Sequence, residues 1–196
     1  MKIFLLVISF LIAPGALAND ATILVPKYFV KLSKETNVPA DILYALAAKE
    51  TNTKMTNKAV APWPYTLNVK GKPYSFATYQ EMVDAANNFI ENGTRSVDIG
   101  LFQVNWLWNG HRSESVENLG TPWENGKVAA KILLEHYRKH GDWVVAAGRY
   151  HNPANKNGRA DSYAREYKKF LSLIHSGKYQ KHLKKNTGMT LTKARS

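Results

Sequence analysis

The stretch Pro39-Ala40-Asp41-Ile42-Leu43-Tyr44-Ala45-Leu46-Ala47-Ala48-Lys49-Glu50 reads as a helix. Proline suits a first turn, where its missing N–H costs nothing, and Asp41 lies well at the positive end of the helix dipole. With an advance of about 100° per residue, Leu46 falls about 60° to one side of Leu43, Ala47 about 40° to the other and Glu50 about 20° away. Glu50 therefore belongs to the apolar stripe, whereas Asp41 and Lys49 point away from it. A carboxyl at the end of such a stripe sits where the core meets a cleft or solvent. Partial loss of water there raises its pKa and suits it to give a proton to a bound molecule. Periodicity alone favours a helix-end glutamate that simply bends into water.

The flanking sequence is mostly helical too. Pro26 opens a helix to about Thr36, with Tyr28, Phe29 and Leu32 inward. Over 62–77, Pro62, Pro64 and Pro73 exclude helix. Leu67 and Val69 alternate with polar residues, Lys70-Gly71 turns, and Tyr74 and Phe76 alternate again, which predicts a hairpin. Thr78-Tyr79-Gln80-Glu81 is a capping-box pattern for a helix through Ile90, stopped by Gly93. A short apolar segment follows Gly100. Thr121-Pro122-Trp123-Glu124 repeats the cap pattern, and Val128, Ala129, Ile132 and Leu133 form a stripe that ends at Gly141. Asp142 caps a helix to about Tyr150, with Pro153 beyond its end. A last helix, from about Ser162 to His175, places Tyr163, Tyr167, Phe170 and Ile174 on one side. The fold class is mainly α, of the α+β kind: a helical bundle with a small inserted β-hairpin and no internal repeat.

The chain has 196 residues, enough for one domain, and its 44% hydrophobic content supports a packed core. It has no cysteine, which excludes disulfide scaffolds, thiolate metal sites and cysteine nucleophiles. Its net charge of +12 points to anionic partners. Lys2, the apolar run Ile3–Ala13 and the small-x-small triplet Ala16-Leu17-Ala18 read as a signal peptide over residues 1–18. The run is too short for a permanent span, so no stable membrane anchor is expected, and a periplasmic or secreted location argues against nucleic acid as partner. Residues 19–175 form the expected domain. Residues 176–196 carry Lys178, Lys181, Lys184, Lys185, Lys193 and Arg195 with no acid, and are expected to lack packed structure.

Two further segments change the weight on Glu50. Residues 98–106 read Asp98-Ile99-Gly100-Leu101-Phe102-Gln103-Val104-Asn105-Trp106, and residues 147–153 read Ala147-Gly148-Arg149-Tyr150-His151-Asn152-Pro153. A glutamate closing a helix, then Gly-Leu-x-Gln-x-Asn, then Ala-x-x-Tyr-x-Asn resembles the soluble lytic transglycosylase family, which has a lysozyme-like fold. The resemblance covers roughly residues 25–170. Trp63-Pro64-Tyr65-Thr66-Leu67-Asn68, taken with Asp98–Trp106, is most similar to the branch that serves conjugation, type IV secretion or pilus machinery. The resemblance makes Glu50 the single catalytic acid. It places Thr51, where many relatives have serine, beside it, and gives Gln103 and Asn105 to the sugar cleft, with Phe102 as its apolar wall. It matches Tyr150 to a tyrosine whose hydroxyl faces the glutamate. His151 stands where the common pattern has asparagine, with Asn152 one place later, and either is left to reach substrate.

The reaction so implied cleaves the β-1,4 bond between N-acetylmuramic acid and N-acetylglucosamine in peptidoglycan strands and closes a 1,6-anhydro ring. It needs one carboxyl and no cofactor. A hydrolytic muramidase usually uses two carboxyls. The second candidate here is Asp98, whose plainer role is an N-cap for a segment beginning at Gly100. Trp63, Trp106, Trp108 and Tyr150 are the aromatic residues available to stack on sugars: Trp63 and Trp108 read as core or rim, and Trp106 stays open. His136 and His140 have a zinc-like spacing, but no His-Glu-x-x-His motif accompanies them, so no metal is expected. The rival readings are a hydrolase on the same fold and a non-catalytic wall-binding or assembly protein.

Overall fold

Among the residues that the computed structural model describes (24–54, 60–179 and 191–193), α-helices predominate. The leader expected at residues 1–18 lies outside them. Strand β1 (Leu24–Pro26) leads into α1 (Lys27–Thr36), which begins directly after Pro26 and stops at Asn37 in the left-handed conformation. Helix α2 (Ala40–Thr51) follows Pro39, and every residue from Ile42 to Ala48 is buried. A helix apolar on all sides is a core helix. The one-sided stripe read from the spacing therefore understates α2, which is wrapped by its neighbours and emerges only at its two ends.

Strands β2 (Asn52–Lys54) and β3 (Val60–Pro62) form a short ladder after α2. The hairpin follows as β4 (Thr66–Val69) and β5 (Lys72–Ser75), pairing Leu67 with Tyr74 across the Lys70-Gly71 turn. Helix α3 (Tyr79–Glu91) opens with a complete capping box between Thr78 and Glu81. The apolar segment near Gly100 proves to be two strands about a tight turn, β6 (Val97–Ile99) and β7 (Val104–Asn105), so the hairpin is part of a four-stranded antiparallel sheet ordered β5-β4-β6-β7. The expected cap role of Asp98 fails for this reason. Its backbone is in a strand, and the side chain that caps the next helix, α4 (Trp106–Asn109), is that of Asn105.

The period of two in these strands separates chemistry from core. Leu67, Val69, Val97, Ile99 and Val104 are buried on one face. On the other face, Asn68 pairs with Asp98 and Asp98 with Asn105, which gives a polar row across three strands.

Helix α5 (Val116–Gly120) precedes α6 (Pro122–His140), which Thr121 caps and Gly141 ends in the left-handed conformation. Helix α7 (Trp143–His151) starts on Asp142, whose Oδ1 accepts from Val145 N at 2.8 Å. Helix α8 (Arg159–His175) begins three residues earlier than the pattern predicts, because Asn155 Oδ1 takes the N–H groups of Ala160 and Asp161. It runs antiparallel to α2: His175 meets Asp41 at 2.7 Å, Tyr167 donates to the Ile42 carbonyl at 3.0 Å, and Tyr163 reaches Glu50. At Gly148 a Cβ would lie 2.5 Å from the Ala160 carbonyl oxygen, so only glycine lets α7 approach α8 this closely.

The basic stretch after His175 differs from expectation in two places. Tyr179 is buried against Tyr44 and Phe170, and its hydroxyl donates to Asn52 Oδ1 at 2.8 Å. Residues Leu191–Lys193 (β8) pair antiparallel with β1. Composition is an average, and one aromatic ring with a reachable acceptor outweighs several solvated lysines locally.

Candidate active site

Glu50 is carried out of the core by the last turn of α2 and opens into a cleft of about 710 Å³. The sheet's polar row of Asn68, Asp98 and Asn105 lines one side, and Tyr150 and His151 from α7 line another. Burial pushes the Glu50 carboxyl from 4.5 up to about 7. The Tyr163 hydroxyl, donated to Oε1, and the charge of Lys49 pull it down, while the charge of Asp98 pushes it up. Glu50 thus has the poise that the sequence suggested, through shelter at the end of a buried helix.

The three sequence segments lock onto one another through backbone carbonyls. Thr51 Oγ1 donates to Leu101 O at 3.0 Å, and Tyr150 Oη to Phe102 O at 2.8 Å. Buried Asn125 completes the clamp: its Oδ1 accepts from Phe102 N at 2.8 Å, and its Nδ2 donates to Ile99 O and Leu119 O at 2.8 and 3.1 Å. Gly100 has φ +77°, and a Cβ there would lie 2.9 Å from Asn125 Nδ2. Conformation and space both demand glycine. Gln103, also at positive φ, folds its side-chain amide onto Gly100 O, Thr66 O and Thr66 Oγ1.

That interlock of residues 51, 100–103 and 150 accords with the family comparison. A family model described as the transglycosylase SLT domain matches residues 27–173. The chain belongs to this family. The match spans about three quarters of the 196 residues, from the first residue of α1 nearly to the end of α8. Members of the SLT family are lytic transglycosylases that act on peptidoglycan outside the cytoplasm. No curated protein and no solved structure matches the chain.

Against the SLT pattern, the expected site residues divide. Glu50, Gln103, Asn105, Tyr150 and His151 come together on the cleft. Thr51 does not reach it: it is buried, and its hydroxyl spans Ala47 O and Leu101 O beneath the site. Asn152 does not line the cleft either, since it caps α7 and its Oδ1 accepts from Lys156 N at 2.9 Å. Of His151 and Asn152, His151 is the one that lines the cleft. Asn105 holds Asp98, donating to Oδ1 at 2.7 Å, while its own Oδ1 accepts from Trp108 N. Trp106 packs its ring over Gly110 and the core, and Trp63 donates Nε1 to Phe76 O at 2.8 Å. The tryptophan on the cleft is Trp108, 72% exposed.

The hydroxyl on Glu50 comes from α8 and not from the α7 tyrosine that the resemblance implies. Burial raises the Tyr150 phenol and the nearby Glu50 and Asp98 charges raise it further, but its hydroxyl is spent on Phe102. The donor to Glu50 is Tyr163 of α8, a residue that the stripe pattern marks only as core. Its phenol is raised first by burial and then by the Glu50 charge, so it stays a donor. A signal was present, since a buried tyrosine must find a partner for its hydroxyl. Nothing in the spacing says which partner.

Proposed function

We propose that this chain is an active peptidoglycan lytic transglycosylase in which Glu50 serves as acid and then as base. The observation that carries the reading is one sheltered carboxyl, raised to about 7 and fixed through Oε1 by Tyr163, at the mouth of a cleft. With Oε1 taken, the proton of the acid form sits on Oε2. It passes to the β-1,4 glycosidic oxygen as the bond to muramic C1 breaks. The substrate's own acetamido group stabilises the developing cation. The Glu50 carboxylate then takes the proton from the muramic C6 hydroxyl, whose oxygen bonds to C1 and closes the 1,6-anhydro ring. The proton count returns to its start and no water is consumed. A pKa near the working pH serves both halves of this cycle.

Asp98 supports a second reading. It lines the same cleft, and its carboxyl is raised by burial against the opposing bond from Asn105. A hydrolytic muramidase would use it as the partner of Glu50. Mass spectrometry of digested peptidoglycan separates the two: anhydro ends support the lyase, and reducing ends that take up heavy oxygen from labelled water support the hydrolase. Export by a leader at residues 1–18, and service to a conjugation, type IV secretion or pilus machine, belong to the same reading. Their support is the sequence of that leader and the resemblance of the Trp63–Asn68 segment.

A further inference from the structure

A second cavity, about 430 Å³, meets the cleft at Glu50 and His151 and is lined by Lys49, Arg159, Ser162, Tyr163 and Glu166. The two spaces differ in charge. In the larger one, the carboxyls of Glu50, Asp98 and Glu135 face one guanidinium, Arg112, which is tied to Glu135 by two bonds of 2.8 and 2.9 Å. In the smaller one, Lys49 and Arg159 stand with Glu50 and Glu166, and Glu166 is taken by Lys169 at 2.7 Å. Neither Lys49 nor Arg159 forms an ion pair among the described residues, although the Lys49 charge acts on Glu50 and Glu166. The Lys49 ammonium is held 4.9 Å from the centroid of the Tyr163 ring, a contact that fixes its direction without cancelling its charge. Both cations act on one ring: the His151 imidazole is disfavoured as a cation first by burial and then by Lys49 and Arg159. Lys49 and Arg159 converge on one space whose wall also holds Glu50 and Glu166 but in which neither cation is ion-paired to them, an arrangement that suits an anionic ligand.

The sugar rings of a glycan strand are neutral. The anions near a muramyl residue are on its 3-O side chain, as the lactyl carboxylate or the carboxylates of an attached stem peptide. On the transglycosylase reading, a muramyl unit lies beside Glu50, and its side chain is the group that reaches the neighbouring cavity. Resting on that reading, we propose that Lys49 and Arg159 form a cradle for a carboxylate on the muramyl side chain next to the scissile bond, and so select charged over neutral strands. Ser162 adds a hydroxyl beside them.

The test uses the full chain carrying Glu50→Gln, so that strands stay intact, and measures its dissociation constant for three strand preparations: peptide-bearing, peptide-bearing with every carboxyl amidated, and enzymatically stripped to the lactyl carboxylate. The cradle predicts tighter binding to charged than to amidated strands. Adding Arg159→Gln shrinks that preference by about two- to fivefold, the range for a partly exposed ion pair, and Lys49→Gln on top removes it. Arg159→Glu inverts the preference. In peptide-bearing strands the lactyl carboxyl is tied up in the amide bond to the stem, so if stripped strands bind like peptide-bearing ones the cradle takes a carboxylate at either place, and if they bind like amidated ones the recognised group is on the peptide. A preference for charged strands that survives Arg159→Gln and Lys49→Gln unchanged, or no preference in the parent, overturns the cradle. Wild-type digestion is scored separately: absence of anhydro ends overturns the transglycosylase reading, while the binding contrast still judges the cradle.

Discussion

Glu50 is expensive for the fold, and the sign of that cost is testable. Its carboxyl titrates at about 7 in place and near 4.5 when exposed. Below pH 4.5 both states hold the proton and the site is neutral for stability. Between 4.5 and 7 the folded state holds more protons than the unfolded one, so stability falls as pH rises through that window. Above it the ionised carboxylate costs up to about 3 kcal/mol. Glu50→Gln therefore loses all turnover and melts higher than wild type at pH 8, with the gap closing by pH 4; a melting-temperature difference that does not change with pH contradicts this. The same carboxyl gives a second expectation. Protonation of the leaving oxygen needs the acid form, so kcat/KM falls as pH rises through the Glu50 pKa. Tyr163→Phe removes a bond that lowers that pKa, so the alkaline limb of the profile moves to higher pH. Tyr150→Phe, which loses only the bond to Phe102, leaves the limb where it is and costs about 1 kcal/mol of stability.

At the scale of elements, helices were legible wherever a terminus carried its own chemistry. The Thr78 box, the Thr121 and Asp142 caps and the stop at Gly141 all hold in the structure. The start of α8 was missed because its cap comes from Asn155, several residues upstream. The strands at 97–105 were missed because each is three residues or fewer: β6 is defined by its partner β4 about 30 residues upstream, and β7 by β6 across the tight turn, rather than by their own alternation. The buried side chain that organises this region, Asn125, gave no signal, since a polar residue on a helix reads as surface. It satisfies Phe102 N, Ile99 O and Leu119 O at once. Asn125→Ala leaves these buried groups unpaired and should cost about 2–4 kcal/mol in urea unfolding. Because Phe102 and Leu101 are the acceptors for Tyr150 and Thr51, the variant should also lose activity under conditions where it remains folded. Retention of full turnover would show that the turn at 100–103 does not set the cleft.

Over the whole molecule, the cleft exists because two kinds of layer meet. The helical part supplies Glu50, Tyr163 and His151 at the ends of α2, α8 and α7, and the sheet supplies Asp98 from a polar row whose opposite face is core. Helix ends give sheltered groups with few exits for water, whereas a sheet face gives a row of groups at fixed spacing. This division is what makes Asp98 ambiguous from sequence, because its position faces the cleft whether or not it reacts. Its charge raises the Glu50 carboxyl, so Asp98→Asn lowers that pKa. In a single-carboxyl mechanism the variant keeps producing anhydro ends, and its alkaline limb moves to lower pH, opposite to the shift from Tyr163→Phe. In a two-carboxyl hydrolase, turnover collapses by several orders of magnitude at every pH, because a nucleophile or base has been removed rather than a neighbour's charge. Measuring product ends and the pH limb together for Asp98→Asn and Tyr163→Phe distinguishes a carboxylate that tunes Glu50 across the cleft from one that shares its chemistry.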